Sequence, residues 1–186
     1  DRMQPPLAPT ATAVQLRGDY AHAREDYTVE QDPAAYTAAE HAIWRDLYAR
    51  QLGLVERYAA PEFLAGVRAL RARPDRIPRF ADTNDVLGDL TGWQLVAVPG
   101  LIPEEHFFAH LAARRFPVTV WIRTRAELDY LVEPDVFHDW FGHVPLLSNP
   151  VFADFLQAYG RRGPDAQRHG GLKMLARLYW YMVEFG

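Results

Sequence analysis

Cysteine is absent from the 186 residues. That excludes disulfides and thiolate metal sites and leaves any metal to histidine, aspartate or glutamate. A basic field is also missing. The formal charge is -4 and the basic residues are scattered, which argues against a nucleic-acid partner. No apolar run reaches membrane-spanning length and no signal-peptide pattern opens the sequence, so no membrane partner is expected and the cytoplasm is the expected compartment. No internal repeat sets a period. What is present suits one domain with a substantial core, because 49% of the residues are hydrophobic and 13% aromatic.

Residues 1–12 carry Pro5, Pro6 and Pro9 among small residues and are expected to form a flexible arm. Residues 13–32 are polar and are expected to be extended. A first helix starts near Thr37, where Glu40 three residues on completes a capping box. Ile43, Trp44, Leu47 and Tyr48 give it an apolar stripe, and Gly53 is its expected stop. Pro61 opens a second helix, with Phe63, Leu64, Val67 and Leu70 on its buried face. Asp82 is the expected cap of a third, which runs to Leu90 and ends at Gly92.

The pattern then changes. Trp93 to Val98 alternates and is β-prone, Pro99-Gly100 turns the chain, and Val118 to Ile122 forms a second short strand. Between them, residues 103–115 are helical, and His106 and His110 fall on what is expected to be an exposed face. Asn149 and Pro150 start a helix that buries Phe152, Phe155, Leu156 and Tyr159 and stops at Gly160. Residues 160–171 are expected to be a loop with His169 in solvent. The last helix, from Leu172, becomes apolar nearly all round at 179–183. The fold class is therefore mainly α, an α+β arrangement with many helices and a small β-strand pair.

One stretch carries chemistry. In Glu133-Pro134-Asp135-Val136-Phe137-His138-Asp139-Trp140-Phe141-Gly142-His143-Val144-Pro145, two histidines stand five apart inside an aromatic-rich run. A buried imidazole needs a hydrogen-bond partner or a metal. On a straight helix, positions i and i+5 point roughly 140° apart. His138 and His143 meet at one ion only if the backbone departs from that helix, for which Gly142 and Pro145 are suitable. The pair alone leaves open both metal ligation and two core histidines bound to carbonyls. Glu184, directly after an apolar run, is costly to bury unless paired or metal-bound. Two histidines and one carboxylate leave open positions on a metal, which suits non-haem iron and also zinc hydrolysis.

Pro134–Pro145, Val151-Phe152-Ala153-Asp154-Phe155 and Tyr179-Trp180-Tyr181-Met182-Val183-Glu184-Phe185-Gly186 resemble, in order, the aromatic amino acid hydroxylases. Arg17-Gly18-Asp19-Tyr20 with His22–Tyr27 resembles their bacterial single-domain phenylalanine 4-hydroxylase branch. The resemblance implies a multihelical catalytic domain over 13–186, and Fe(II) held by His138, His143 and Glu184. It implies tetrahydropterin as co-substrate, lined by Gly100, Leu101 and Ile102 and stacked on Phe107. Arg123 would take the amino acid carboxylate. Tyr179 and Trp180 would stand near the iron and the substrate ring, and Asp139 would act through water or pterin hydrogen bonds.

The implied reaction converts L-phenylalanine and dioxygen to L-tyrosine, with pterin-recycling enzymes elsewhere in the pathway. The family's domain continues past Glu184 with elements that close the substrate pocket, so the chain is expected to be shortened there. It is also expected to be a monomer. A catalytically incomplete metal-binding fragment and a zinc hydrolase using the same ligands are the alternatives.

Overall fold

A computed structural model describes residues 16–184; the proline-bearing arm expected over 1–12 lies outside them. Helix α1 spans Ala38–Tyr58. Its start is the expected capping box: the Thr37 hydroxyl accepts the Glu40 N–H, and the Glu40 carboxylate accepts the Thr37 N–H at 2.7 Å. Gly53 does not stop it. A glycine inside a helix costs about 1 kcal/mol; here, Leu52 and Val55 pack on the core either side of it. The helix ends instead at Tyr58: Ala59 is extended, and Ala60 has a ψ of 144°, outside the helical region disfavoured ahead of Pro61.

Helices α2 (Pro61–Ala69) and α3 (Phe80–Thr91) follow. Asp82 lies in the first turn of α3 and is not its cap; Arg79 holds that position, and Gln31 accepts the Phe80 N–H at 2.8 Å. Gly92 closes α3 at positive φ, as expected.

Strand β1 is Gln94–Val98, α4 is Glu104–Ala112, and β2 is Arg115–Thr119. The second strand begins three residues earlier than its sequence pattern suggests. Arg114, at φ 56°, turns the chain so that pairing starts at once. The two strands are parallel, with Gln94 opposite Arg115 and Val98 opposite Thr119, and α4 is the crossover such a pair requires. The other edge of β1 is closed by side chain and loop: Asn84 bonds both the N–H and the carbonyl of Leu95, and the Val29 N–H reaches the Ala97 carbonyl.

Helix α5, Val136–His143, runs into a 3-10 turn, Val144–Ser148. Its aromatic face packs edge-on against α1. The Phe137 ring is 5.1 Å from Trp44, Trp140 is 5.9 Å from Trp44, and Phe141 is 5.2 Å from Tyr48. The buried indole N–H groups of Trp44 and Trp140 donate to the Arg73 carbonyl and the Thr83 hydroxyl. These partners allow the two indoles to be buried without leaving their own N–H groups unpaired.

Helix α6 is Pro150–Arg161, capped as expected by Asn149, whose side chain accepts two N–H groups. Its buried face is Ala153, Leu156 and Gly160, while Phe155 stays 39% exposed against expectation. Phe155 lies instead on an outer aromatic stripe with Phe152 and Tyr159. The expected loop after Gly160 contains a short helix, α7 (Gly163–Arg168), with Pro164 in its first turn. It is too short to show a period in sequence. Helix α8 (Leu172–Tyr179) ends in a π-helical turn, Trp180–Glu184. The all-round apolar segment is not all buried: Trp180, Tyr181 and Met182 are about half exposed or more, and only Tyr179 is fully inside.

The histidine pair on α4 also differs from expectation. His110 is 1% exposed, and its Nε2 lies 2.8 Å from the Asp26 carbonyl. Burial lowers its pKa. It is a core histidine that ties the N-terminal segment to α4. His169 is exposed, as expected.

Candidate metal centre

Helix α5 is anchored at its first residue. The Asp135 carboxylate caps it by accepting the His138 N–H at 2.9 Å. The same carboxylate accepts the Arg123 N–H at 2.9 Å and takes the guanidinium through two bonds of 2.8 and 2.9 Å. Asp135 is wholly buried and Arg123 nearly so. One carboxylate thus fixes the helix start, the chain after β2 and the arginine together. The signal in the sequence for this role is the aspartate directly before a helical run, a favoured N-cap residue.

The departure from a straight helix occurs at His143 itself. Its φ of -118° and ψ of -41° lead into the 3-10 turn containing Pro145, while Gly142 remains helical. The two imidazole rings come within 5.1 Å of each other. Glu184 arrives from the π-helical turn after α8. Such a turn adds a residue per turn and re-aims the side chains beyond it. One carboxylate oxygen lies 3.2 Å from His138 Nε2 and the other 3.3 Å from His143 Nε2. A ligand atom from each of the three residues lies within 4.8 Å of the others.

The donor set fits a metal ion. The His143 Nε2 atom is buried and has no hydrogen-bond partner, although a Glu184 oxygen lies 3.3 Å away. A buried acceptor or donor left this way is costly, and a cation between the three residues would satisfy it. Two imidazoles and one carboxylate, with no thiolate, match open-sided iron and zinc sites.

Asp139 completes the support. One oxygen is 3.0 Å from His138 Nδ1, and the other accepts the Thr119 N–H at the end of β2 at 2.8 Å. Both oxygens therefore have protein partners, and the residue also lines the cavity beside the ligands. The arrangement fixes the ring so that Nε2 faces the centre. Nothing in the sequence pointed to Thr119.

Burial disfavours a charged His138, but the Asp139 and Glu184 carboxylates outweigh it and push its pKa up to about 10. Burial likewise opposes charge on Glu184, yet its contacts with His138 and His143 hold its pKa below the usual carboxylate range. Burial, followed by the charges of Glu184 and Asp139, raises the Tyr179 hydroxyl well above its ordinary value. With its pKa raised by the two carboxylates, His138 is expected to carry a proton at neutral pH before metal binds, and an incoming metal would displace it. Metal addition is expected to release about one proton per ion at pH 7, with apparent affinity falling about tenfold per pH unit as the solution is acidified. Calorimetry in two buffers of different ionisation enthalpy measures this; binding without proton release would contradict it.

One cavity of about 200 Å³ contains all three candidate ligands and Asp139. Gly100, Leu101, Ile102 and Phe107 line it too, with Tyr179 on its wall. The Phe107 ring meets Tyr179 edge-on at 5.1 Å. A second cavity, about 350 Å³, lies on the other side of His138 and is lined by Arg123, Phe137 and Phe141. Arg123 is thus apart from the first cavity and shares the second with His138. Trp180 lines neither of these two cavities and is 52% exposed. His106 and His110 join no group able to hold a metal among the described residues.

Fold and site together define a class: a mainly helical protein with a two-histidine, one-carboxylate candidate metal centre lining a largely apolar cavity. The chain belongs to the biopterin-dependent aromatic amino acid hydroxylases, whose family profile matches residues 13–186. It is 58% identical over 163 residues to the phenylalanine-4-hydroxylase of Ralstonia nicotianae, covering 88% of this chain and 52% of that one. It is 56% identical over 171 residues to that of Mesorhizobium japonicum, covering 92% and 62%. The iron- and phenylalanine-bound crystal structure of the Chromobacterium violaceum phenylalanine hydroxylase superposes with a TM-score of 0.82 at 54% identity, over 87% of this chain and 58% of that one. The chain spans about half to three-fifths of the length of these relatives.

Proposed function

We propose that this chain is a phenylalanine 4-monooxygenase, converting L-phenylalanine to L-tyrosine with dioxygen and a tetrahydropterin. The observation that carries this is the convergence of His138, His143 and Glu184 in a cavity that Gly100, Leu101, Ile102 and Phe107 also line. His138, His143 and Glu184 would hold Fe(II). Bound there, iron and reduced pterin would supply dioxygen activation, with one oxygen going to the substrate ring and the other leaving with the pterin.

The protein's own part is positioning and shielding. Asp139 holds the His138 ring in the orientation that leaves Nε2 for the metal. Phe107 offers a flat apolar face for a planar heterocycle, and the loop at Gly100–Ile102 offers backbone groups to its edge. Arg123 keeps N–H donors beyond those Asp135 uses, and these would take the amino acid carboxylate, with the substrate ring directed past His138 toward the centre. Tyr179 walls the cavity against water, and Trp180 would contact the substrate ring. We further infer that the chain acts as a monomer in the cytoplasm and depends on separate enzymes to reduce the oxidised pterin.

The test is tyrosine formation from L-phenylalanine with Fe(II), tetrahydropterin and oxygen, followed by amino acid chromatography. Tyrosine that appears with iron and disappears with zinc is the expected result. A folded, iron-loaded chain that makes none would leave the metal-binding fragment as the better description. Hydrolytic activity with zinc would favour the hydrolase.

A further inference from the structure

The run Arg17–Tyr20 touches none of the metal ligands, yet it lies against the loop that lines their cavity. Residues 99–103, between β1 and α4, have no helix or strand of their own. The two carbonyls flanking Gly100 are instead taken by side chains from distant segments. Trp121 Nε1 donates to the Pro99 carbonyl at 2.9 Å, and the Tyr20 hydroxyl donates to the Leu101 carbonyl at 2.8 Å.

The approach is close on both sides. A Cβ at Gly18 would stand 1.8 Å from the Pro99 carbonyl oxygen, so the backbone there rests directly on the loop. Gly100 has φ 150°, and a Cβ on it would lie 2.8 Å from the Tyr20 hydroxyl. Behind this contact, the Arg17 guanidinium lies 4.6 Å over the Trp121 ring and pairs with Glu127, while the Arg17 N–H reaches the Glu133 carboxylate at 3.2 Å. Arg17 thus braces the indole that holds Pro99.

We propose that Tyr20 and Trp121 are positioning residues for the pterin. By turning the Pro99 and Leu101 carbonyls back into the protein, they fix the backbone of Gly100–Ile102 in the one arrangement presented to the cavity. This rests on the pterin reading of that cavity. The physical gain is preorganisation: a loop already fixed loses less conformational freedom when a ligand binds. Neither residue need touch the ligand.

The decisive variant is Tyr20→Phe, which keeps the ring and removes only the donor; Trp121→Phe removes the other donor together with part of the ring that Arg17 covers. Tyr130→Phe, at an exposed tyrosine, is the control. Amide hydrogen exchange at residues 100–102 is expected to speed up several-fold in each of the two variants, with α5 unchanged. Calorimetric affinity of the iron-loaded chain for tetrahydropterin is expected to weaken about five- to tenfold, the worth of one hydrogen bond. Cobalt(II) uptake and L-phenylalanine affinity are expected to stay at the parent's values. Uniformly faster exchange, or weakened cobalt binding in step with pterin binding, would mean a merely structural role and overturn the proposal. If the parent binds pterin and Tyr20→Phe binds it equally well, the proposal alone fails. If the parent takes up no pterin, the reading of the cavity fails, and the proposal with it.

Discussion

Replacing Glu184 by alanine is expected to abolish both stable metal binding and tyrosine formation. Glu184 is the only carboxylate that meets both His138 and His143, at 3.2 and 3.3 Å, among the described residues. Without it, two imidazoles remain, and neither neutralises the charge of a divalent ion. Loss of an outer partner such as Asp139 typically costs about 10–100-fold in affinity, and loss of a direct ligand is expected to cost more. Metal content after dialysis and the visible spectrum of a cobalt(II)-loaded sample read the effect without turnover. The fold is expected to survive, because Glu184 stands at the end of a π-helical turn and outside the aromatic core. A Glu184→Ala chain that held metal as tightly as the parent would place the third ligand elsewhere.

The second large effect is on stability, at Asp135. Replacing it by alanine leaves the Arg123 guanidinium buried without its carboxylate and leaves the His138 N–H uncapped. Breaking a buried ion pair from one side typically costs about 3–5 kcal/mol, and a lost N-cap about 0.5–2 kcal/mol. The two share one side chain, so they do not add freely. Against a usual stability of about 5–15 kcal/mol, the loss should shift the urea midpoint far enough to leave the variant barely folded at room temperature. Asp135→Asn keeps an acceptor for the cap and loses the charge, so it should fall between parent and alanine. An unfolding free energy within about 1 kcal/mol of the parent's would show that solvent reaches Arg123 and that the pair is not truly buried.

Much of the helical framework was legible because it depends on neighbours in sequence. Thr37 with Glu40, Pro61, and Asn149 with Pro150 each mark a helix start through atoms no more than three residues apart, and all three stand where they were expected. The failures lie where a distant contact outweighs local preference. Gly53 stays helical because Leu52 and Val55 are held by the core. β2 starts at Arg115 because its partner strand sets the register. His110 is buried because Asp26, far away in sequence, accepts its ring nitrogen.

The site divides in the same way. Composition, the His138–His143 spacing and the absence of cysteine narrowed any metal site to nitrogen and oxygen ligands. The order of the three motifs placed the chain among the pterin-dependent hydroxylases. Glu184 was a costly carboxylate on sequence grounds, and its assignment as a ligand came from that resemblance. Only the tertiary structure decided that these three side chains meet. Convergence depends on a twisted last residue in α5 and a π-helical turn after α8, neither of which has a periodic signature in sequence. Only the tertiary structure, too, showed Asp135 joining Arg123 to the start of α5, Thr119 holding Asp139, and Tyr20 and Trp121 gripping the loop at Gly100. Each of these contacts joins segments that are separated along the chain, and hydrogen-bond geometry across such gaps is fixed only when the whole core has packed.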